Sequence, residues 1–599
     1  MTNTPKYKLV SSFAELRKVV TRCKKMGPTA LDFETTSLDA GSGRVRLVSL
    51  CNTKISILVD FDRIKGGFKK CARLFEGGQW IVFYSGFEGR WFQAAGSDPE
   101  LLDVGYLRRA ILGGGRFKLM QIALWDLDVE MDKTEQAGNW AAKRLTQEQL
   151  DYAYFDADVT WRLWEYWSEQ SDPGRWDAFH LLNDMVPAVI EMEDAGILLD
   201  RSAHQVLVDH WGEIKKKKYK AIRRMVKAAD VNNIDSASQW SDYFARYLPD
   251  HVLAGWPKTE KTGQLSMKND TLKNLAGTFT GTPLEKIFDL LADYKTISKY
   301  LSSFGQSLIT SALLSPDKRI RARFNIGAAK TCRFSSSGPN LQQMPRDREL
   351  LGEATSVRSS FTAGLGRSLV SLDYSGIELR TLALLSGDQQ LLIDCIEGDV
   401  HAEVGSYMVG KAITKATKAG KIARQAAKPV SFLIIYGGGA PGLSYATRIS
   451  IEKAQGLIDF WSDRYEKAFQ FRYDQLEEAE RTRYLRMADG GTIYMGKNPE
   501  LPKCANFGVQ RTALSIMAKA IVRHKNSLDD ARGNGRQKMT RMIATIHDAL
   551  IDEAAKRDAR NCLKLMEHDM TQGYLDVFPG APIERLVEGG IGPNWAELD

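Results

Sequence analysis

Apolar and polar positions change period several times along this chain, and each change marks a structural unit. In the first 170 residues, strand-like runs such as TALDFET, RLVSLCN and WIVFYS alternate with stretches of helical period, which predicts an α/β unit. The turn sequence SDPG at 171–174 marks its expected end. From about 203 to 310 the pattern is helical and charged. At 319–326, Ile320, Ala322, Phe324 and Ile326 alternate with Arg321, Arg323 and Asn325, predicting a half-buried strand with two arginines on its open face. Further strands are expected at 368–372 and 541–553, while 400–490 reads as helices broken by the glycines at 437–439. There is no internal repeat. Helices inserted between strands of one sheet predict a multidomain α/β and α+β protein, a layered domain with arms.

Acids stand at the ends of the predicted strands. In SLVSLDYSGIELRTLALL (368–385) the apolar alternation ends at Leu372, and Ile377, Leu379, Leu382 and Leu385 begin a helical spacing. Asp373 therefore sits at a sheet edge, where a turn residue or helix cap is the plainer reading of this stretch alone. In RMIATIHDALIDEA (541–554) His547 and Asp548 fall at the turn of an apolar hairpin. Two aspartates at strand ends of one sheet can hold a pair of divalent cations about 4 Å apart, with Mg2+ taking oxygen ligands and substrate phosphates. Asp32 and Glu34 are two apart on a predicted strand, so both face one side. Tyr152 precedes Asp156 by four on a predicted helix.

Charge sharpens this picture, whereas composition mainly excludes. The net charge is +8 and the pI 8.9, and residues 215–227, KKKKYKAIRRMVK, concentrate the excess without an acid. Such a helix suits a nucleic-acid backbone, although a solvated face explains it equally. Seven scattered cysteines without a CxxC pair argue against a disulfide scaffold or zinc site. No apolar run reaches the roughly 18 residues of a membrane span, and the N-terminus lacks a signal-peptide core, so a cytoplasmic protein is expected. In ARQAAKPVSFLIIYGGG (423–439) Arg424, Lys428, Phe432 and Tyr436 recur every four residues, suiting a triphosphate at one end and a base or sugar further along. Pro429 within it predicts a kink or a later helix start.

Together these segments resemble family A DNA polymerases, the family of bacterial DNA polymerase I and many phage replicases. DYSGIELR resembles motif A, RQAAKPVSFLIIYG motif B and IHDA motif C. TCRFSSSGPNLQQMP (331–345), GDVHAEV (398–404), NFGVQRTALSIMAKA (506–520) and EMEDAGILLD (191–200) extend the match in the family's order. The resemblance implies a right-hand architecture in residues 173–599, with a thumb at about 203–310, fingers at about 400–495 and a palm from about 311–399 and 496–599. It implies that Asp373, Asp548 and the Tyr374 carbonyl hold the metals. Arg424, Lys428 and His401 would hold the incoming triphosphate, Lys428 also serving catalysis. Phe432 would lie at the sugar, Tyr436 by the nascent pair, and Glu378 would be the gate against a ribose hydroxyl. Arg333, Asn506, Gln510 and His547 would touch primer–template.

Three departures from the family pattern stand out: Ala549 replaces a second acid in motif C, Gly376 replaces a glutamine in motif A, and Ser431-Phe432-Leu433 replaces Asn-Phe-Gly in motif B. Residues 1–172 resemble a 3′→5′ proofreading exonuclease of the DEDD class with an RNase H-like fold. Asp32, Glu34 and Asp156 would be its metal-binding acids and Tyr152 would orient the attacking water. The middle motif FYSGFEGRWF has Ser85 for asparagine and catalytic Glu88 for aspartate, so a retained fold with impaired trimming is the competing reading.

The expected function is DNA-templated extension of a primer 3′ end, using Mg2+ (two ions per site, Mn2+ as a substitute), with attached proofreading. Primer–template DNA and deoxynucleoside triphosphates are the implied ligands. Helicase, primase or single-strand binding protein would be partners of a phage-like, monomeric replicase. A separate 5′ nuclease domain is not expected. A single-subunit RNA polymerase-like enzyme and a DNA-binding accessory protein with a decayed polymerase site remain as alternatives.

Overall fold

The structure is a computed structural model that describes residues 7–598 except 260, 261, 346, 347, 352, 415 and 448. The start of the N-terminal segment read above thus lies outside the described residues.

The N-terminal unit is built on six strands: β1 (Lys8–Val10), β2 (Thr29–Thr35), β3 (Val45–Asn52), β4 (Ile55–Asp60), β5 (Gln79–Val82) and β6 (Glu100–Asp103). Their order is β1-β4-β3-β2-β5-β6, with β3 antiparallel to both of its neighbours β4 and β2, and β2, β5 and β6 parallel. Strand β3 is buried along its whole length, as expected of a strand covered on both faces. Helix α1 (Ser85–Ala94) follows β5, and helix α2 (Gln147–Glu169) crosses over β2 and β3. A capping box starts α2: Thr146 Oγ1 accepts from Gln149 N at 3.2 Å, and Gln149 Oε1 accepts from Thr146 N at 3.1 Å.

SDPG opens a helix instead of a free linker. Asp172 caps Pro173–Asp184 by accepting from Arg175 N, and its carboxylate takes Arg486 Nη2 at 2.7 Å. That helix and α3 (Val186–Ala195) belong to one buried cluster running from Ile81 and Leu102 to Leu369 and Met517, so the two halves share a core. A glycine loop adds to the junction. Gly114 N donates to Lys330 O at 2.9 Å, and a Cβ at Gly114 would lie 1.8 Å from Ala329 O, so only glycine permits this approach.

The helical region holds α4 (Arg201–Met225) and α5 (Pro283–Phe304) around a core of Trp240, Phe244 and Phe288. The basic run lies on α4, where Lys218 Nζ meets Asp293 at 2.5 Å and Lys215 stands over the Tyr294 ring, while Lys216, Lys217, Lys220, Arg224 and Lys227 are exposed.

The strand expected at 319–326 is a correction. It is two short strands, Arg319–Ile320 and Arg323–Asn325, in different sheets, although the alternation of burial holds. At the break Arg321 forks onto Asp317 at 2.7 and 2.8 Å and donates to Asp194 O. Arg323 pairs with Glu193 at 3.0 Å. Both arginines do stay on the exposed side, as expected, each paired with an acid.

The second half centres on a four-stranded antiparallel sheet. Its members are β7 (Arg367–Tyr374), β8 (Arg541–Ile546), β9 (Ala549–Ala555) and β10 (Val587–Gly592), in the order β8-β9-β7-β10. Between β7 and β8 the chain runs through α6 (Ile377–Ser386), α7 (Val400–Val409), α8 (Lys418–Ile435), α9 (Glu466–Thr482) and α10 (Leu501–Gly533). After β9 comes α11 (Ala559–Leu575), which packs on α10 and on the sheet. Leu379 and Leu382 of α6, Ala427 and Val430 of α8 and Val509 of α10 share one apolar cluster, which seats α8 beside the helix that follows Asp373. Helix α8 runs unbroken through Pro429 from its Thr417 cap, so it neither starts late nor divides there.

Candidate active sites

In the polymerase-like half, the sheet register brings the acids together. Asp373 lies opposite Ala549 on β9 and Glu588 on β10, and Asp548 sits in the tight turn between β8 and β9. Tyr374 N donates to Asp548 O at 3.1 Å, which ties the end of β7 to that turn. His547 enters the turn at φ 55°. Gln342 clamps the turn from outside: its Oε1 accepts from His547 N at 2.6 Å and its Nε2 donates to Thr545 O at 2.9 Å. Asp373, His547, Ala549 and Glu588 line a cavity of about 440 Å3.

Burial pushes the Asp548 carboxyl up to about 7. Glu378 and Asp373 push in the same direction, and the Arg333 guanidinium opposes them. Arg333 in turn is paired with Glu378 in the first turn of α6. Crowded carboxylates whose charge is under-compensated, all with oxygen donors, match the preference of Mg2+ for hard ligands. Gly376, one of the departures, caps α6 at φ 60° and ψ 34°, a left-handed conformation that glycine adopts without strain.

Along α8, Arg424 Nε donates to Asp399 Oδ2 at 2.6 Å. Asp399 also caps α7 by accepting from His401 N and Ala402 N. His401 Nδ1 is 3.1 Å from Ser431 Oγ, and its ring lies 5.7 Å from that of Phe432. Phe432 and Tyr436 stack at 5.9 Å. Ser431 therefore supports His401, which gives this departure a structural place. Lys428 lies between Arg424 and Phe432 on the same stripe. Asn506 and Gln510 lie on α10: Gln510 accepts from Thr331 Oγ1 at 3.4 Å, and Asn506 Oδ1 is a buried acceptor without a hydrogen bond. The structure gathers Asp373, Tyr374, Asp548, His547, Arg333 and Glu378 into one group, and Arg424, His401, Phe432 and Tyr436 into a second on α7 and α8.

The N-terminal centre is more enclosed. Oxygens of Asp32 and Glu34 on β2 and of Asp156 on α2 all lie within 4.8 Å of one another, a geometry that could hold a cation. Burial pushes Asp32 up to about 7, and the Asp156 charge adds to it. Burial raises Glu34 well above its ordinary range, with Asp32 and Asp156 adding. Glu88 on α1 is buried with Oε2 unbonded, and burial followed by the Asp32 charge keeps its carboxyl well raised. Lys133 donates to both Asp156 oxygens and to the Tyr152 hydroxyl. Three clustered oxygen donors and a buried, unbonded Glu88 oxygen behind them are a donor set of the kind a hard divalent ion takes. Ser85 N and Tyr84 N both donate to Asp103, which fixes the start of α1.

Sequence reasoning missed Lys133, Gln342, Asp399 and Ser431 as members of these sites. Gln342, Asp399 and Ser431 stand inside the quoted motif segments; nothing in the pattern singled out Lys133.

Residues 204–597 match the family described as DNA polymerase family A. The chain belongs to that family. As a family A chain it carries a second match, to the 3′-5′ exonuclease family, over residues 7–171. It is 34% identical over 367 residues to the thermostable DNA polymerase I of Thermus aquaticus, covering 59% of this chain and 41% of that one. With DNA polymerase I of Chloroflexus aurantiacus it shares 29% identity over 469 residues, 76% of this chain and 47% of the relative. The chain thus spans less than half the length of these curated relatives. In overall fold it is similar to the solved "POL domain of Pol1 from M. smegmatis complex with DNA primer-template and dNTP", with a TM-score of 0.79, 21% identity and coverage of 98% of this chain and 100% of that chain.

Proposed function

We propose that this chain is a DNA-templated DNA polymerase with an attached 3′→5′ exonuclease. It extends a primer 3′ end from deoxynucleoside triphosphates and trims 3′ ends in the N-terminal unit. The observation that carries the reading is the meeting of Asp373 and Asp548 at one edge of the four-stranded sheet, with Arg333 and Glu378 beside them.

In this reading residues 1–172 are the exonuclease, 203–310 the thumb, 400–495 the fingers, and 311–399 with 496–599 the palm. Asp373, Asp548 and the Tyr374 carbonyl would hold Mg2+ at the palm. Asp32, Glu34 and Asp156 would hold it at the exonuclease, with Glu88 behind. When bound, the ions supply charge neutralisation of the attacking and leaving oxygens of an in-line phosphoryl transfer. Arg424 and Lys428 draw the triphosphate along α8 and steady the departing pyrophosphate. His401 is held for the same task by Ser431. Phe432 and Tyr436 present a stacked aromatic face to the sugar and base. Glu378, braced by Arg333, closes the space a 2′-hydroxyl would need. Tyr152, under the Asp156 carboxylate, positions the water for trimming.

A primer–template assay with Mg2+ tests both halves. Extension with deoxynucleotides and 3′ trimming without them are the expected results. A preference for ribonucleotides would overturn the polymerase reading, as would full extension by an Asp373→Ala chain.

A further inference from the structure

The N-terminal centre contains one side chain that none of its motifs accounts for. Lys133 lies outside both β2 and α2, just before a short turn at Thr134–Ala137. Asp132 fixes that loop by accepting from Thr134 N at 2.9 Å and Thr134 Oγ1 at 2.6 Å. Lys133 Nζ donates to Asp156 Oδ2 at 2.6 Å and Oδ1 at 2.8 Å, and to the Tyr152 hydroxyl at 3.2 Å. It also stands 4.9 Å from the centre of the Tyr152 ring. The pair is tucked in, with 17% of the Lys133 side chain and 10% of the Asp156 side chain exposed. Its charge also reaches Asp32 and Glu34, opposing the upward push on both.

Three carboxylates this close repel one another unless a positive charge sits among them. A divalent ion bound to Asp156 needs the oxygen lone pairs that the ammonium now engages on both sides. A second cation at the same carboxylate would also face like-charge repulsion in a poorly solvated site. The ammonium and the ion therefore compete for Asp156.

We propose that Lys133 is a tethered competitor for the divalent cation of the exonuclease centre. It keeps the acids assembled while the ion is away, and it must swing off Asp156 on its flexible stem before the ion enters. Trimming is thereby throttled when divalent ion is scarce. This inference rests on the exonuclease reading above.

The test is Mn2+ binding to the full chain, followed through the paramagnetic resonance of free Mn2+. Ions lost on Asp32→Ala are counted as those of this centre. Lys133→Met is expected to bind Mn2+ about ten-fold more tightly, the equivalent of one charge-assisted hydrogen-bonded pair. Its half-maximal Mn2+ for trimming a single-stranded 3′ end should fall in proportion, while Lys133→Arg stays like the parent. Primer extension by the Lys133→Met chain serves as the check on folding. Unchanged or weaker Mn2+ binding in a Lys133→Met chain that still extends primers overturns the proposal, because a purely structural lysine would give that result. An Asp156→Ala chain that still trims would instead remove the exonuclease reading itself.

Discussion

The two acid clusters of this molecule are compensated differently. In the N-terminal centre a lysine sits directly on the carboxylate that would bind the ion, with an orphaned glutamate behind it. In the polymerase-like centre the Arg333 guanidinium lowers Asp548 and is tied to Glu378. A lysine on a flexible stem answers the acids of one centre, and an arginine paired with a glutamate answers Asp548 in the other. The difference teaches that nearly the same donor chemistry can be gated by the ion itself or by whatever displaces a neighbouring arginine.

A third cluster sharpens the contrast because its acids share one buried histidine. His524 on α10 is fully buried, with Nε2 2.8 Å from Asp552 on β9 and Nδ1 2.8 Å from Asp569 on α11. Burial lowers its pKa, but the two aspartates outweigh burial and raise it to about 9. This cluster staples the sheet to its helices behind the Asp548 turn.

The largest expected effect separates the two centres. Asp548→Ala should cut primer extension by about 10³-fold or more and leave trimming, and Asp32→Ala should do the reverse, as read on gels with and without nucleotides. A chain in which either change removed both activities would merge the two regions into one functional unit. Next is His524→Ala, which strands two buried acids and should cost about 3–5 kcal/mol in denaturant unfolding. The parent should show the matching pH dependence. A folded pKa above the ordinary 6.5 means that the stabilisation is complete below about 6.5 and is lost as pH rises through about 9, on the order of 3 kcal/mol in all. Gln342→Ala frees the His547–Asp548 turn and should lower the extension kcat about ten- to hundred-fold with little change in the nucleotide KM. A pure KM effect there would mean that the clamp serves binding and not the position of Asp548. Smallest is Gly376→Ala. Nothing lies within 4 Å of a Cβ at that position, so the cost is the left-handed backbone alone, about 1 kcal/mol as a lowered melting temperature.

Much of both centres was legible because their parts are local. A period of two puts Asp32 and Glu34 on one face of β2, and a period near four puts Tyr152 and Asp156 on one face of α2. The apolar hairpin around His547 and Asp548 was visible for the same reason. The misreadings came where side-chain pairing cut across a backbone pattern. Arg321 and Arg323 alternate like the open face of one strand and both stay exposed, but the strand divides where Arg321 pairs with Asp317 and Arg323 with Glu193. Pro429 predicted a kink or a later start, yet α8 is helical through it from Thr417, packed on α7 in a shared apolar cluster.

By itself the sequence determined which elements carry the acids, the order of the motifs, and the family to which 204–597 belong. The tertiary structure decided what surrounds each acid: Lys133 on Asp156, Asp399 on Arg424, and Gln342 reaching across 205 positions to His547. The physical reason is one of range. Periodicity reports the geometry of neighbours along a single strand or helix, whereas ion pairs and hydrogen bonds between elements exist only once packing has fixed where those elements meet.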